Sequence, residues 1–521
     1  MSHSPVQPAK PASTPAAGDS HPRVLVTPDG RLTAGRLAGL SMGSAILVLS
    51  WPILVESFLQ SLVGLTDTVF ASGLSDAGAG TDAVGGAAYI LWFIGLVVQA
   101  IGVGATALIS RAVGGRSIGV ANAAVGQTLL LALLAGVVVG VVIFLAAAPA
   151  AALLNLTPSA SAAFRTYVMI NAFGVPFSSI LFSGIACARG AGESLRPLWS
   201  MVAVNTVNVL ASWVLAGVDL TVARVEEGEI VRRTLLANPF PFDLGVSGIA
   251  WGTVLGHMVG AAIVIRMLAR GTGGVRLKRS RLRPHWPTLH RLIRIGVPNF
   301  FETLGMWAGN FLVILIVGLM GGAGGGTVGA HFIAIRIEAF SFLPGFAFGA
   351  AAATLAGQYL GAGSPALAAR AVWICTFGAS LLMGLLGVVF VLFPHELTGL
   401  VSPQAVHLDL VPPLLVVTGF VQVPFAVSIV LRQALRGAGD VRAAMWITWA
   451  MTYGVRLPLV YLLSDVAIPL PQALGGGQIE HPIGWGWGLT GVWVALCVEI
   501  LARAIAFLVR FSRGRWQQAR V

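Results

Sequence analysis

Four carboxylates stand where an apolar chain has no ordinary use for them: Glu56 in WPILVESF, Asp67 in GLTDTVF, Glu302 in VPNFFETL and Glu338 in IRIEAFSF. An ionisable group inside a membrane-length apolar run is costly, which makes each a candidate for function. A carboxylate there can be neutralised by a proton or Na⁺ in one state and be available to a cationic ligand in another. Glu56 and Glu302 each lie four residues after a proline, Pro52 and Pro298, which removes a backbone hydrogen bond and bends a helix. The competing role for both is structural, an ion pair with Arg456, Arg432 or His331. Glu338 and Arg336 are two apart and so point to roughly opposite faces of one helix, leaving Glu338 in need of another partner or a cavity. Arg456, inside VRLPL, needs a carboxylate and reads as a structural counter-ion.

The elements that must position these groups are membrane helices. The chain has 521 residues, 56% hydrophobic and 10% charged, with mean hydropathy +0.85, whereas a soluble chain carries about 25% charged residues. Apolar runs long enough to span a bilayer fall near 39–65, 84–108, 121–149, 163–188, 197–217 and 245–268, then 291–320, 328–358, 368–394, 409–434, 441–464 and 486–511. The fold class expected is therefore an all-α membrane protein of twelve transmembrane helices. Residues 1–38, rich in Pro, Ala and Ser without an apolar signal-peptide core, read as a disordered tail. Cys187, Cys375 and Cys497 lie singly in apolar spans and suggest packing, not disulfides or metal.

The formal charge of +12 could suggest nucleic acid, but its distribution argues otherwise. Nine arginines and lysines crowd the stretch from Arg266 to Arg294 between spans 6 and 7, which places that linker in the cytoplasm. Arg111, Arg116, Arg189, Arg196, Arg370, Arg436 and Arg442 fall on the same side, as do both termini. The opposite connections lack Lys and Arg, except 218–244, whose mixed charges suggest a small outer cap.

RGAGE at 189–193 and RGAGD at 436–440 each follow a Val-Pro-Phe helix, about 245 residues apart. WPILVE and VPNFFE, GVGATALISRAVGG and FGAAAATLAGQYLGAG, and GVSGIAW and GLTGVWV recur at similar offsets. Six helices is an even number, so the halves enter from one face and form parallel repeats, an arrangement used by alternating-access carriers. The organisation expected is a tail (1–38), an N-lobe (39–270), a basic linker (271–290), a C-lobe (291–511) and a second tail (512–521).

The order of these motifs, with SLVGLTDTVFASGL, AHFIAIRIEAFSFLPGFAFGAAAATLAGQYLGAG, LRGAGD and VRLPL, resembles the multidrug and toxic compound extrusion (MATE) family over about 39–511. The resemblance implies two six-helix lobes around a central cavity in the plasma membrane. It also implies extrusion of organic cations in exchange for H⁺ or Na⁺, with no cofactor. Asp67 then marks the N-lobe cation site, with Asn205 or Asn208 as the family's helix 5 Asn; the family's further Asp in helix 5 is Ser212 here. Helix 10 lacks the acid that one sodium-linked branch carries, which favours protons. Gln60, Gln99, Tyr89, Phe301 and Trp307 are candidates to line a cavity for a flat cation. His257 and His331 read as packed histidines or as proton relays. The expected partners are a small organic cation and the lipid bilayer, with no nucleic acid, for a monomer. A flippase for lipid-linked saccharide is the alternative. No HExxH, GxSxG or P-loop supports an enzyme.

Overall fold

The computed structural model describes residues 25–519 and 521 except 155, 227–228, 321–325, 470–477 and 480–483; side chains at 89, 92–93, 220–226, 229–233, 235, 468–469 and 478–479 also lie outside the description. Six long helices build the first lobe: α1 (Met42–Ser72), α2 (Ala77–Gly114), α3 (Ile118–Leu153), α4 (Pro158–Gly190), α5 (Leu195–Ala216) and α6 (Gly245–Arg270). Their starts follow local chemistry. Ser41, Asp76 and Thr157 accept from the backbone amides of Ser44, Ala79 and Ala160, and Pro158 opens α4 where no intrahelical donor is needed.

The second lobe repeats the plan with broken helices: α7 (Trp286–Met320), α8 (Thr327–Ser341), α9 (Leu343–Gly361), α10 (Pro365–Leu392), a short α11 (Pro394–Val401), α12 (Ala405–Phe420), α13 (Gln422–Ala438), α14 (Val441–Met451), α15 (Leu457–Ser464) and α16 (Gly488–Ser512). Among the described residues nine helices are long and apolar enough to cross a membrane, and eleven spans result when the pairs α8–α9 and α12–α13, bent by 46° and 60°, are each counted once. A π-helical segment, Thr452–Arg456, joins α14 to α15. Pro458 cannot donate to the carbonyl of Gly454, and the wider turn relieves that clash while directing Thr452 and Arg456 into the lobe.

Two expectations change. The 218–244 connection holds an antiparallel hairpin, β1 (Leu220–Glu226) with β2 (Glu229–Leu236), so the architecture is helical with a small β cap. The stretch expected as a disordered tail packs from Leu25 onward. Leu25 donates its amide to the carbonyl of Ala362, and Leu32 and Leu37 are buried with Ala45, Leu49 and α9. Apolar residues interrupt the Pro/Ser composition there.

The lobes meet at the end carrying the arginine-rich linker, the basic face. Gly114 closes α2 and Gly361 closes α9. A Cβ on Gly114 would lie 1.9 Å from the carbonyl oxygen of Gln358, and one on Gly361 would lie 2.1 Å from that of Arg111. Arg111 and Gln358 are themselves repeat counterparts, so this contact is self-complementary about a pseudo-two-fold axis. Among the described residues, the side-chain hydrogen bonds that join α1–α6 directly to α7–α16 run from Thr303 to Gln99, Thr354 to the Arg189 carbonyl and Gln358 to the Gly190 carbonyl. All lie from mid-helix to the basic face. Gln127 of α3 pins the linker by donating to the carbonyls of Arg281 and Arg283 and accepting from the amide of His285.

Candidate functional site

The repeat pairs a carboxylate with an arginine in each lobe. In the first, Arg189 of RGAGE reaches Glu56 at 2.7 Å. In the second, Arg436 of RGAGD grips Glu302 by both oxygens, at 3.0 and 3.1 Å, and Thr448 donates to the same group at 2.9 Å. The partners are therefore the arginines of the repeated turn rather than Arg456, Arg432 or His331. Each pair ties the proline-bearing helix to the end of its lobe's fourth span.

Asp67 sits in the other half of the N-lobe and is buried. Tyr167 of α4 donates to Oδ2 at 2.5 Å, Asn208 of α5 donates to Oδ1 at 3.3 Å, and the Thr253 hydroxyl of α6 lies 3.0 and 2.8 Å from the two oxygens. Asn208 also donates to Thr253 at 2.9 Å, while its own Oδ1 is buried with no partner among the described residues. Three helices thus bring neutral groups to the one carboxylate of α1. Ser212 does not join them; its hydroxyl lies 3.4 Å from the carbonyl of Ile249.

In the C-lobe Arg456 finds a carboxylate, as its position demands, and it is Glu499 of α16, at 2.7 Å. Arg503, one turn on, bonds the other oxygen of Glu499 at 2.6 Å and donates to Thr452 at 3.2 Å. Arg456 also bonds Asn310. Glu338 is half-buried, within electrostatic reach of Arg456, and its carboxylate accepts no hydrogen bond among the described residues.

Of the five buried carboxylates among the described residues, Glu56, Glu193, Glu302 and Glu499 each face arginine, and Asp67 alone does not. That distinction is chemical. An arginine stranded when its partner is protonated leaves a buried unpaired cation. A hydroxyl can donate to the ionised form of a carboxyl and accept from the acid form.

The expected cavity residues are spread more widely. Gln60 is exposed on α1, Gln99 accepts from Thr303 at 3.3 Å, Phe301 is 45% exposed and Trp307 is half-buried; the side chain of Tyr89 lies outside the described residues. His331 is packed, accepting from Trp493 Nε1 at 3.1 Å, and His257 sits edge-on to Phe182. Tyr167, Thr253, Glu499 and Arg503 were not singled out from the sequence. The i,i+4 acid–base spacing of EILAR was the available signal for the last two.

The family model described as MatE matches twice, at residues 52–214 and 298–462, once in each half and starting at the paired prolines. The chain is similar to a probable multidrug resistance protein NorM of Thermotoga maritima, 24% identical over 91% of this chain and 93% of that one. It is likewise similar to the multidrug resistance protein PmpM of Pseudomonas aeruginosa, 24% identical over 91% and 94%. A crystal structure of MATE in the bent conformation superimposes with a TM-score of 0.76, at 20% identity, over 92% of this chain and 96% of its own. The twice-repeated match, its extent and the shared fold lead to one conclusion: this multi-pass membrane protein belongs to the MatE family.

Proposed function

We propose that the protein is a secondary active antiporter that extrudes organic cations and drugs in exchange for protons, by alternating access between its two lobes. The observation that carries this reading is Asp67, the one buried carboxylate among the described residues held only by neutral groups. It can release a proton on one side of the membrane and take one up on the other without orphaning an arginine. Tyr167 and the Asn208 amide point hydrogens at it, which suits a proton better than a sodium ion. Glu56 and Glu302 become structural ties, and Glu338 is a secondary candidate for coupling.

Val441–Ser464, helical through its π segment, is taken in this reading as a twelfth span beside the eleven counted above. Arginine content assigns the basic face and both termini to the cytoplasm. With the lobes closed there, this is an outward-facing state. Gln60, Gln99, Phe301 and Trp307 line the route for substrate, and the lobes' mutual contact suits a monomer without a cofactor. The names of the relatives support drugs as the substrate class. A lipid-linked saccharide flippase would need several free cations for a pyrophosphate, whereas Arg436, Arg456 and Arg503 are each bonded to a glutamate and, of the buried arginines among the described residues, Arg432 alone is not.

Ethidium uptake into everted vesicles separates the ions. Uptake driven by a pH gradient in sodium-free buffer is expected. Uptake that requires a sodium gradient, or none under either gradient from folded protein, would overturn the reading.

A further inference from the structure

The two lobes repeat the Glu–Arg tie but differ one helical turn before it. The first lobe has Ile185 there, and the second has Arg432. Arg432 is 7% exposed, on the face of α13 that also carries Arg436. Its Nη1 meets only a weak acceptor, the sulfur of Met306 at 3.6 Å, and its Nε has no partner among the described residues. The charges that act on it are Arg436 beside it, Glu302 from α7, and Arg503 and Glu499 from α16.

Those neighbours are already committed. Glu302 spends both oxygens on Arg436 and Thr448, and Glu499 spends both on Arg456 and Arg503. Glu338 lies within electrostatic reach of Arg456 and counts towards the charge of that cluster. Four arginines against three glutamates leave Arg432 as the surplus cation. A surplus guanidinium at membrane depth is expensive and calls for an anion. Its free Nε lies on the edge of the fork that binds carboxylates side-on through two parallel hydrogen bonds.

We propose that Arg432 anchors the carboxylate of an organic substrate inside the C-lobe, so that zwitterions bearing a carboxylate are preferred ligands alongside simple cations. The proposal rests on the transporter reading for its substrate but not on the coupling ion. The N-lobe then offers a lone carboxylate, Asp67, and the C-lobe a lone guanidinium: opposite polarities on one scaffold.

The test uses purified full-length protein in detergent and two dyes with one ring system, rhodamine 110, which has a free carboxylate, and its methyl ester rhodamine 123. Fluorescence polarisation at equilibrium, with no gradient, reads both affinities. Wild type is expected to bind the carboxylate form more tightly, and Arg432→Met to reduce that preference about tenfold, the loss of a charge-assisted pair. Arg432→Lys, which keeps the charge and loses the fork, is expected to fall between them, and it decides the matter if the Met variant does not fold. A wild type with no preference for the carboxylate, a preference unchanged in the variants, or an equal loss for both dyes would overturn the proposal. Because no gradient is applied, a failure of proton-driven transport would leave this result standing, and the reverse also holds.

Discussion

Arg436 holds Glu302 by both carboxylate oxygens, and Arg189 holds Glu56, its repeat counterpart, by one. Removing one partner of a buried pair strands the other, at a cost of about 3–5 kcal/mol. Glu302→Gln is therefore expected to lower thermal stability in detergent by that amount, and the double variant Glu302→Gln/Arg436→Gln to recover a good part of it. Glu56→Gln should cost less, because the Arg189 side chain is 24% exposed and keeps access to water. Thermal unfolding of the purified variants checks the order.

Glu499 bonds two arginines, one through each oxygen, so its loss removes a partner from both. Glu499→Gln is expected to destabilise more than any other single carboxylate substitution, and more than Asp67→Asn, which leaves only neutral donors behind. Expression yield and unfolding temperature report the difference.

Closure of the basic face depends on two glycines whose missing side chains admit each other's backbone. Gly361→Val cannot keep that contact and is expected to favour the state open to the basic side. The native cysteines are all buried, so a cysteine placed at Ser110, itself buried against Gly357, should react with a thiol reagent from the basic side in the Gly361→Val background and stay protected otherwise. Equal protection in both backgrounds would count against this gate.

Thr253 offers a hydroxyl to both oxygens of Asp67 and accepts from Asn208. Thr253→Val keeps the shape and removes that group, at about 1–3 kcal/mol for the polar atoms left unsatisfied. Proton-driven uptake should fall steeply, while Thr253→Ser should retain most of it. Initial rates of ethidium uptake distinguish the two.

Much of the architecture was legible in the sequence because spans and repeats depend on composition and spacing. The RGAG turns and the prolines reappear at matching places in the structure, each turn's arginine on a glutamate of a proline-bearing helix. The partners of the glutamates were not legible. Arg189 and Arg436 read as membrane-face anchors, and only the bundle's geometry brings them back onto α1 and α7. Tyr167 and Thr253 were hidden for a different reason. A tyrosine or threonine in an apolar helix is ordinary packing until a carboxylate from another helix meets it. The N-terminal segment misled because its composition is that of a tail, while a few apolar residues, Leu25, Leu32 and Leu37, suffice to dock it.

The central claim is that Asp67, not the paired glutamates, exchanges the coupling proton. Its most direct test is proton-driven ethidium uptake in everted vesicles for Asp67→Asn beside the double variant Glu302→Gln/Arg436→Gln, each normalised to folded protein. Asp67→Asn is expected to abolish gradient-driven uptake while still binding ethidium, and the double variant to retain it. Normal uptake by Asp67→Asn, with loss in the folded double variant, would contradict the account.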